Sequence, residues 1–314
     1  MTIETDKNDT FGPAGDSRVL NYAAGRRAFL ATLGLGAAAA FTYRPTDAKA
    51  QSITDNDILN FALNLEYLEA EFYLRAAFGR GLSDSDVVGG IGTLGPVSGG
   101  RAVDFTGEPL IQSYAREIAA DEENHVKFIR RALGGANGSV ARPQIDLNAS
   151  FTALARAAGL VAPNASFDAF GSVNNFLLAS FVFEDVGVTA YKGASPLIQN
   201  RGVLEAAAGL LAVEAYHAGL IRTLCYVRNL RDATTLISNF RDSISGAEAD
   251  QGVNDTAVFG NGSFVSSSNI VPTDDAAIAF SRTPAQVLNI VYANPTLPPK
   301  AGGFFPFSMN GNIR

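Results

Sequence analysis

Both histidines of this 314-residue chain follow a glutamate by three positions, in Glu122-Glu-Asn-His125 and in Glu214-Ala-Tyr-His217. Each motif lies in a stretch whose apolar residues recur with the period of an α-helix, and residues i and i+3 of a helix share one face. A carboxylate and an imidazole placed in this way can bind one metal ion together. The repeat therefore predicts two helices that turn metal-binding faces towards a common interior.

Two further glutamates, Glu66 and Glu184, lie in otherwise apolar helical stretches. Each precedes a tyrosine by seven residues, Tyr73 and Tyr191 respectively, and seven residues make two helical turns. The order Glu-x6-Tyr followed by Glu-x2-His thus occurs twice, which indicates an internal duplication of a helical hairpin. The tyrosines fit either of two roles. They are buried aromatics with a satisfied hydroxyl, or they act beside the ligands as hydrogen-bond donors or radical-bearing residues.

Charge balance favours metal at this site. Four buried carboxylates without counter-charge would each cost several kcal/mol or would take up protons. Two divalent cations balance the four charges and leave both histidines neutral. Oxygen donors with one imidazole per ion favour iron or manganese without ranking them, and the lack of thiolates disfavours structural zinc. The predicted ligands of the two ions are Glu66, Glu122, His125, Glu184, Glu214 and His217.

Two more acids belong to the predicted neighbourhood of the site. Glu69, one turn after Glu66, is either an additional ligand or bridging acid, or else a polar neighbour or a surface charge. Asp121, four residues before His125, is expected to accept a hydrogen bond from the free ring nitrogen of that histidine. The corresponding positions in the second hairpin are Gly187 and Val213, so the duplication is incomplete here. A solvated face or local ion pairs are expected for Glu71, Glu117, Glu123 and Asp185.

This arrangement resembles the ferritin-like superfamily of di-iron and di-manganese carboxylate proteins, in which two helices each supply one Glu and two others each supply Glu-x-x-His. Residues 64–73, 121–125, 214–217, 282–292 and 302–306 are similar to the exported, desiccation-related members. The resemblance implies an all-α ferritin-like four-helix bundle with one long crossover. It also implies a role in oxidative or desiccation stress.

Periodicity and Gly/Pro punctuation predict the element bounds. The bundle is expected over residues 51–229, with a Gly-rich insert over 80–107 and a crossover over 136–166. A C-terminal extension, residues 230–314, is expected to pack on the bundle. Its residues 302–307, which include three phenylalanines, are either a strap that packs on the bundle or a partner-binding or oligomerisation strip. The predicted helices are 55 or 57 to 78, 109 to 134, 151 to 158, 167 to 191, 201 to 228 with an extension to 240, and a short one from 283 that stops before 295.

The amino terminus predicts export. Arg26-Arg27 precedes an apolar, alanine-rich run to Phe41, and Ala48-Lys-Ala50 fits a small-x-small cleavage site. Residues 1–50 are therefore expected to form a twin-arginine-type signal peptide, the alternative being a chance arginine pair. The mature protein would then be periplasmic or extracellular, with no stable membrane span after cleavage.

Composition restricts the partners. Residues from 51 onwards contain 18 Lys and Arg against 26 Asp and Glu, which argues against nucleic acid and anionic membranes. The single cysteine, Cys225, is expected to be a small buried hydrophobe. A homo-oligomer is compatible with the sequence, but the large C-terminal extension disfavours a 24-subunit cage.

Three classes of function remain open at this point. The first is an oxidoreductase of ferroxidase or manganese-catalase type, in which the metal pair reacts with dioxygen or peroxide. The second is a non-catalytic protein that sequesters iron. The third is a structural stress protein whose metal only stabilises the bundle.

Overall fold

The long helices of the protein are arranged in two pairs. The computed structural model describes residues 53–253, 256–259, 263–266, 268–295 and 301–314, so the predicted signal peptide lies outside the described residues. In chain order the helices are α1 (Asp55–Phe78), α2 (Asp84–Val87), α3 (Pro109–Ala132), α4 (Ala149–Ala157), α5 (Val173–Ala194), α6 (Arg201–Val227), α7 (Arg231–Ser245) and α8 (Pro284–Val291). The strands are β1 (Val97–Ser98), β2 (Ile145–Asp146), β3 (Thr256–Phe259) and β4 (Ser263–Ser266).

The four long helices pack as two pairs, and each pair consists of two successive long helices. α1 contacts α3, α5 contacts α6, and contacts between α1 and α5 join the two pairs. The interior is apolar and rich in aromatic rings, which pack at centroid distances typical of tilted and edge contacts. The all-α four-helix bundle expected from the sequence is confirmed. Around Phe72, ring centroids lie 5.3–5.6 Å away for Phe151, Phe170, Phe176 and Phe183.

The helix starts follow local capping chemistry. α1 begins after Thr54, whose side chain forms a capping box with Asp57, so the N-cap is this threonine and not Asp55 or Asp57. α5 begins six residues later than predicted, at Val173, because the Ser172 hydroxyl accepts a hydrogen bond from the Asn175 N–H and fixes the start there.

The third long helix was predicted to end at residue 191, but α5 continues to Ala194 and includes Gly193. A Cβ at Gly193 would lie 1.9 Å from the Arg282 carbonyl oxygen. This glycine therefore permits the C-terminal extension to approach α5 closely. The predicted extension of the fourth long helix is also wrong, because Asn229 has a φ of 58° and α7 is a separate helix.

The Gly-rich insert and the crossover lie beside each other. β1 of the insert pairs in parallel with β2 of the crossover. Glu71 of α1 forms ion pairs with Arg75, at 3.0 Å, and with Arg142 of the crossover. Of the two alternatives for Glu71, the local ion pair is confirmed by Arg75 and the solvated face is excluded, because this carboxylate is fully buried and also connects α1 to the crossover.

The C-terminal extension is joined to the bundle by apolar and ionic contacts. The Phe304 ring lies 5.0 Å from the rings of Phe151 and Phe183, and Phe305 is also buried, although Phe307 is 77% exposed. The predicted strap thus packs on the bundle through two of its three phenylalanines.

Asp185 of α5 was expected at the surface, but it is buried. Its Oδ2 accepts hydrogen bonds from Arg222 at 2.7 Å and from Arg241 at 3.1 Å. Arg241 also pairs with Asp250 beyond α7. This buried network connects the bundle to the extension. The other predictions of this kind hold, since Glu117 is exposed, Glu123 forms a local ion pair with Lys127, and Cys225 is buried.

Candidate metal centre

The six predicted ligands converge inside the bundle, from α1, α3, α5 and α6. Their nitrogen and oxygen atoms form two groups within which all ligand atoms lie within 4.8 Å of one another. Glu122 belongs to both groups, so it lies between two potential metal positions. The first group consists of Glu66, Glu122, His125 and Glu214, and the second of Glu122, Glu184 and His217.

Around His125, the Nδ1 atom faces three carboxylates. It lies 3.2 Å from Glu66 Oε2, 3.4 Å from Glu122 Oε2 and 3.5 Å from Glu214 Oε1. All four side chains are buried. This half of the site thus offers one nitrogen and three acidic groups to a single ion.

Around His217, the Nδ1 atom faces two carboxylates. It lies 3.1 Å from Glu122 Oε1 and 3.6 Å from Glu184 Oε2. The two oxygens of Glu122 thus point to different histidines. The imidazole centroids are 6.3 Å apart, with the rings inclined by 29°.

The polar atoms of the cluster fit a cation pair. Buried polar groups in folded proteins are almost always hydrogen-bonded, so a cluster of buried polar atoms without hydrogen-bond partners calls for an explanation. Eight buried atoms of the six side chains lack a hydrogen-bond partner, and they include both Nδ1 atoms. The two Nδ1 atoms lie 3.1–3.6 Å from the carboxylate oxygens that face them, separations compatible with a shared metal ion. The eight atoms are Glu66 Oε2, both oxygens of Glu122, His125 Nδ1, Glu184 Oε2, both oxygens of Glu214 and His217 Nδ1.

The two tyrosines connect the hairpins. The Tyr73 hydroxyl of α1 donates to Glu184 Oε1 of α5, and the Tyr191 hydroxyl of α5 donates to Glu66 Oε1 of α1. Of the two roles left open by the sequence, the structure therefore supports donors to the ligand carboxylates. Each tyrosine holds one oxygen of a carboxylate whose other oxygen faces a histidine, which fixes the orientation of that carboxylate.

Asp121 was expected beside His125, but its Oδ2 lies 3.2 Å from Nε2 of His217. That prediction was wrong because the carboxylate reaches across to α6 instead of along its own helix. Because Asp121 contacts Nε2, the Nδ1 atom of His217 faces the cluster. Metal-binding imidazoles usually bind the ion through one ring nitrogen and form a hydrogen bond through the other. With its side chain 43% exposed, Asp121 also lies where this half of the site meets solvent.

Glu69 is a fifth buried carboxylate, 5% exposed, so the surface position considered for it is excluded. It belongs to neither ligand group. Burial and the charge of Glu214 raise its pKa well above the ordinary range. Gly187, at the matching position of α5, has another function that sequence reasoning missed, since a Cβ there would lie 2.3 Å from Glu214 Oε2. Because Gly187 has no side chain, the Glu214 carboxylate fits against α5 at this position.

The electrostatics of the cluster favour a cation. Burial raises the pKa of Glu66 to about 7, and it also raises the pKa values of Glu184 and Glu214. Burial acts in the same direction on Glu122, but the adjacent imidazoles of His125 and His217 outweigh it and lower the Glu122 pKa to about 2. Burial thus disfavours the ionised forms of Glu66, Glu184 and Glu214, and divalent cations beside these carboxylates would offset that cost.

The same carboxylates shift the pKa values of the two histidines. Burial alone would lower both imidazole pKa values, but the charge of Glu66 raises that of His125. The charge of Glu184 and the adjacent Glu122 carboxylate raise the pKa of His217 to about 12. A cation at Nδ1 would instead bind the neutral form of each ring.

Comparison with known proteins gives concordant matches. The ferritin-like domain model matches residues 54–227, the segment that carries the whole cluster. A ferritin-like catalase from Nesocodon mauritianus is 31% identical over 286 residues, which cover 85% of this chain and 87% of that protein. A desiccation-related protein from Craterostigma plantagineum is 31% identical over 273 residues, or 82% of this chain and 83% of that protein. No solved structure gives a significant match.

Proposed function

This chain belongs to the ferritin-like family, and on that premise we propose that its buried cluster binds two iron or manganese ions that react with peroxide or dioxygen. The observation that carries the proposal is the set of eight buried, unpartnered ligand atoms around two histidines. The proposed ligands are Glu66, Glu122, His125, Glu184, Glu214 and His217.

The donor set supports iron or manganese in preference to structural zinc. Each half offers one imidazole nitrogen and at least two carboxylates, and the only thiol, Cys225, is buried elsewhere and belongs to neither ligand group. Hard oxygen donors with one nitrogen suit these metals, whereas structural zinc sites usually include thiolates. When bound, the ion pair would supply redox and Lewis-acid chemistry to a small oxygen species.

The surrounding residues have defined tasks in this proposal. Glu122 connects both halves because each of its oxygens faces a different imidazole. Tyr73 and Tyr191 orient the Glu184 and Glu66 carboxylates, and Asp121 holds His217 with Nδ1 towards the cluster. A site held in this way needs little rearrangement when metal binds.

Peroxide is the substrate that the comparisons favour. One relative is named a ferritin-like catalase, and the other is named desiccation-related. Drying and oxidative damage call for the removal of peroxide, and a metal pair that disproportionates it would unite both descriptions. We therefore propose stress protection by peroxide chemistry, with export through the twin-arginine segment of residues 1–50.

Metal analysis of the purified full chain tests the proposal. After anaerobic loading with Fe²⁺ or Mn²⁺, about two ions per chain are expected, as four carboxylates can balance two divalent charges. A variant with both His125→Ala and His217→Ala should lose this metal. Glu123→Ala is the matched control, because Glu123 neighbours Glu122 on α3 but pairs with Arg80 and Lys127 at the surface.

Oxygen release from hydrogen peroxide then separates the functions. Loaded protein is expected to release oxygen, and the double histidine variant should not. A chain that binds no metal would leave only a structural role. A loaded chain that is inert towards both peroxide and ferrous ion would favour sequestration. Export is tested separately by the cellular location of a variant with Arg26→Lys and Arg27→Lys, which should remain in the cytoplasm.

A further inference from the structure

A small pocket lies between α1, α5 and the C-terminal extension, at the level of Glu69 and Gly187. Its volume is about 20 Å³. Since roughly 10–15 Å³ is enough for one water molecule, the pocket admits a molecule of one or two heavy atoms. Leu65 is the half-buried member of the described lining, so the pocket meets solvent beside this residue. Apart from Glu69 and Gly187 the described lining is apolar, and it includes Leu65, Val186, Ile290, Val291 and Phe304.

Two residues of the pocket also adjoin the metal centre. A Cβ at Gly187 would lie 2.3 Å from Glu214 Oε2, so α5 has no side chain where it touches both the pocket and this candidate ligand. Burial and the charges of Glu214 and Glu122 raise the pKa of Glu69, so its carboxylate lies within electrostatic reach of both ligand groups. The pocket therefore shares a wall with the metal centre.

We propose that this pocket admits hydrogen peroxide and other neutral molecules of two heavy atoms to the metal centre, and that it excludes larger peroxides. The proposal rests on the proposed function, because it defines which peroxides that centre receives. Pockets for small molecules are mostly apolar, with a few polar groups that orient the ligand. Glu69 is the polar side chain of this pocket, and it belongs to neither ligand group. Its carboxyl group is thus available for a hydrogen bond with peroxide.

The C-terminal extension fixes the size of the pocket. Ile290 and Val291 of α8 and Phe304 of the strap are all buried. The Phe304 N–H donates a hydrogen bond of 2.9 Å to the Val291 carbonyl oxygen, and the Phe304 ring packs against Phe151 and Phe183. Protein interiors packed in this way are sensitive to a volume change of even one methylene group. This wall can therefore select molecules by size, which gives the extension a function at the metal centre.

Dissolved dioxygen tests the pocket without metal or turnover. It is neutral, paramagnetic and has two heavy atoms, so it speeds the relaxation of the methyl groups that it reaches. In the metal-free full chain, oxygen should relax the Ile290 methyl groups at least about twofold more than those of Ile237, a buried isoleucine of α7 outside this pocket. A bulky neutral nitroxide should reach neither residue. Equal oxygen effects at Ile290 and Ile237 would overturn the proposal, and so would a nitroxide effect at Ile290 as large as that of oxygen.

Peroxide turnover tests the route in the metal-loaded protein. Val291→Phe places a ring in the pocket and should lower kcat/KM for hydrogen peroxide at least about tenfold at unchanged metal content. It should also remove the oxygen effect at Ile290. Ala279→Leu is the matched control, since it adds bulk to the extension in a separate cavity that neither Glu69 nor Gly187 lines. Ile290→Ala enlarges the pocket and should raise the rate with tert-butyl hydroperoxide relative to hydrogen peroxide.

These measurements separate the route from the proposed function. A metal-loaded wild type that is inert towards peroxide contradicts the proposed function, while the dioxygen measurement still decides whether the pocket admits molecules of this size. Full peroxide turnover in Val291→Phe overturns the route and assigns entry to the exposed side of the centre at Asp121. Overpacking costs about 1–3 kcal/mol, and if Val291→Phe does not fold, Ile290→Ala and the wild-type dioxygen measurement remain decisive.

Discussion

Replacing Gly187 by alanine should separate metal affinity from fold stability. The added Cβ would lie 2.3 Å from Glu214 Oε2, whereas ordinary contacts begin at 3.4 Å. The carboxylate must therefore move by about 1 Å, twice the roughly 0.5 Å within which a binding group has to be held. Because the moving atom is the end of a flexible side chain, the fold can accept the shift. The substitution therefore displaces one candidate ligand of the His125 half, the Glu214 carboxylate.

The two expected effects of Gly187→Ala have opposite signs. Metal affinity at the His125 half should fall at least tenfold, or about 1.4 kcal/mol. The metal-free protein should become slightly more stable, because alanine inside a helix is favoured over glycine by roughly 0.5–1 kcal/mol. For a protein of this size that gain raises the melting temperature by roughly 1–4 °C.

Anaerobic calorimetric titration with Mn²⁺ measures the first effect, and thermal unfolding of the metal-free protein measures the second. Gly209→Ala on α6 is the matched control, since nothing lies within 4 Å of its added Cβ. The control should gain helix stability and keep its metal affinity. Wild-type affinity for both ions in Gly187→Ala would refute the assignment of Glu214 as a ligand held by this space.

Three further outcomes follow from the structure. Tyr191→Phe removes the donor to Glu66 and should weaken metal binding 10- to 100-fold in the same titration, whereas Tyr114→Phe, outside the site, should leave it unchanged. Because burial raises the Glu66 pKa from 4.5 to about 7, protonation stabilises the metal-free fold at low pH, and this contribution is lost as pH rises through that window. The melting temperature of the metal-free protein should fall as the pH rises from about 4.5 to 7, and it should fall less steeply in Glu66→Gln. A melting temperature that does not change with pH would contradict the predicted sign. Arg241→Ala removes one of the two buried arginine partners from each of Asp185 and Asp250 and should cost about 3–5 kcal/mol in urea unfolding, against less than about 1 kcal/mol for Arg101→Ala in an exposed pair.

The long helices and the cluster were predictable because their signals are local. Three-residue and seven-residue spacings on a helix decide which side chains share a face, whatever the rest of the fold does. The starts of α3 at Pro109 and α6 at Arg201 follow from residues at the helix ends. The convergence of Glu66 and Glu184 with the two histidine motifs required only that these faces meet.

The wrong predictions about burial and side-chain partners concern contacts between distant segments. Glu71 is buried because Arg142 of the crossover reaches it, and Asp185 because Arg222 and Arg241 surround it. Asp121 contacts a histidine on another helix. No spacing rule within a single helix contains this information, since the partner lies dozens of residues away.

The two halves of the duplicated site are chemically unequal, and Gly187 is central to the reason. Around His125 three carboxylates converge, whereas around His217 there are two, with Asp121 behind the ring. The third carboxylate, Glu214, comes from α6 and fits only because α5 has no side chain at Gly187. The matching position of α1 holds Glu69, which brings a further buried acid to the centre. The duplication thus supplies a symmetric frame of candidate ligands, and the unlike pair Glu69 and Gly187 makes the two halves of the cluster different.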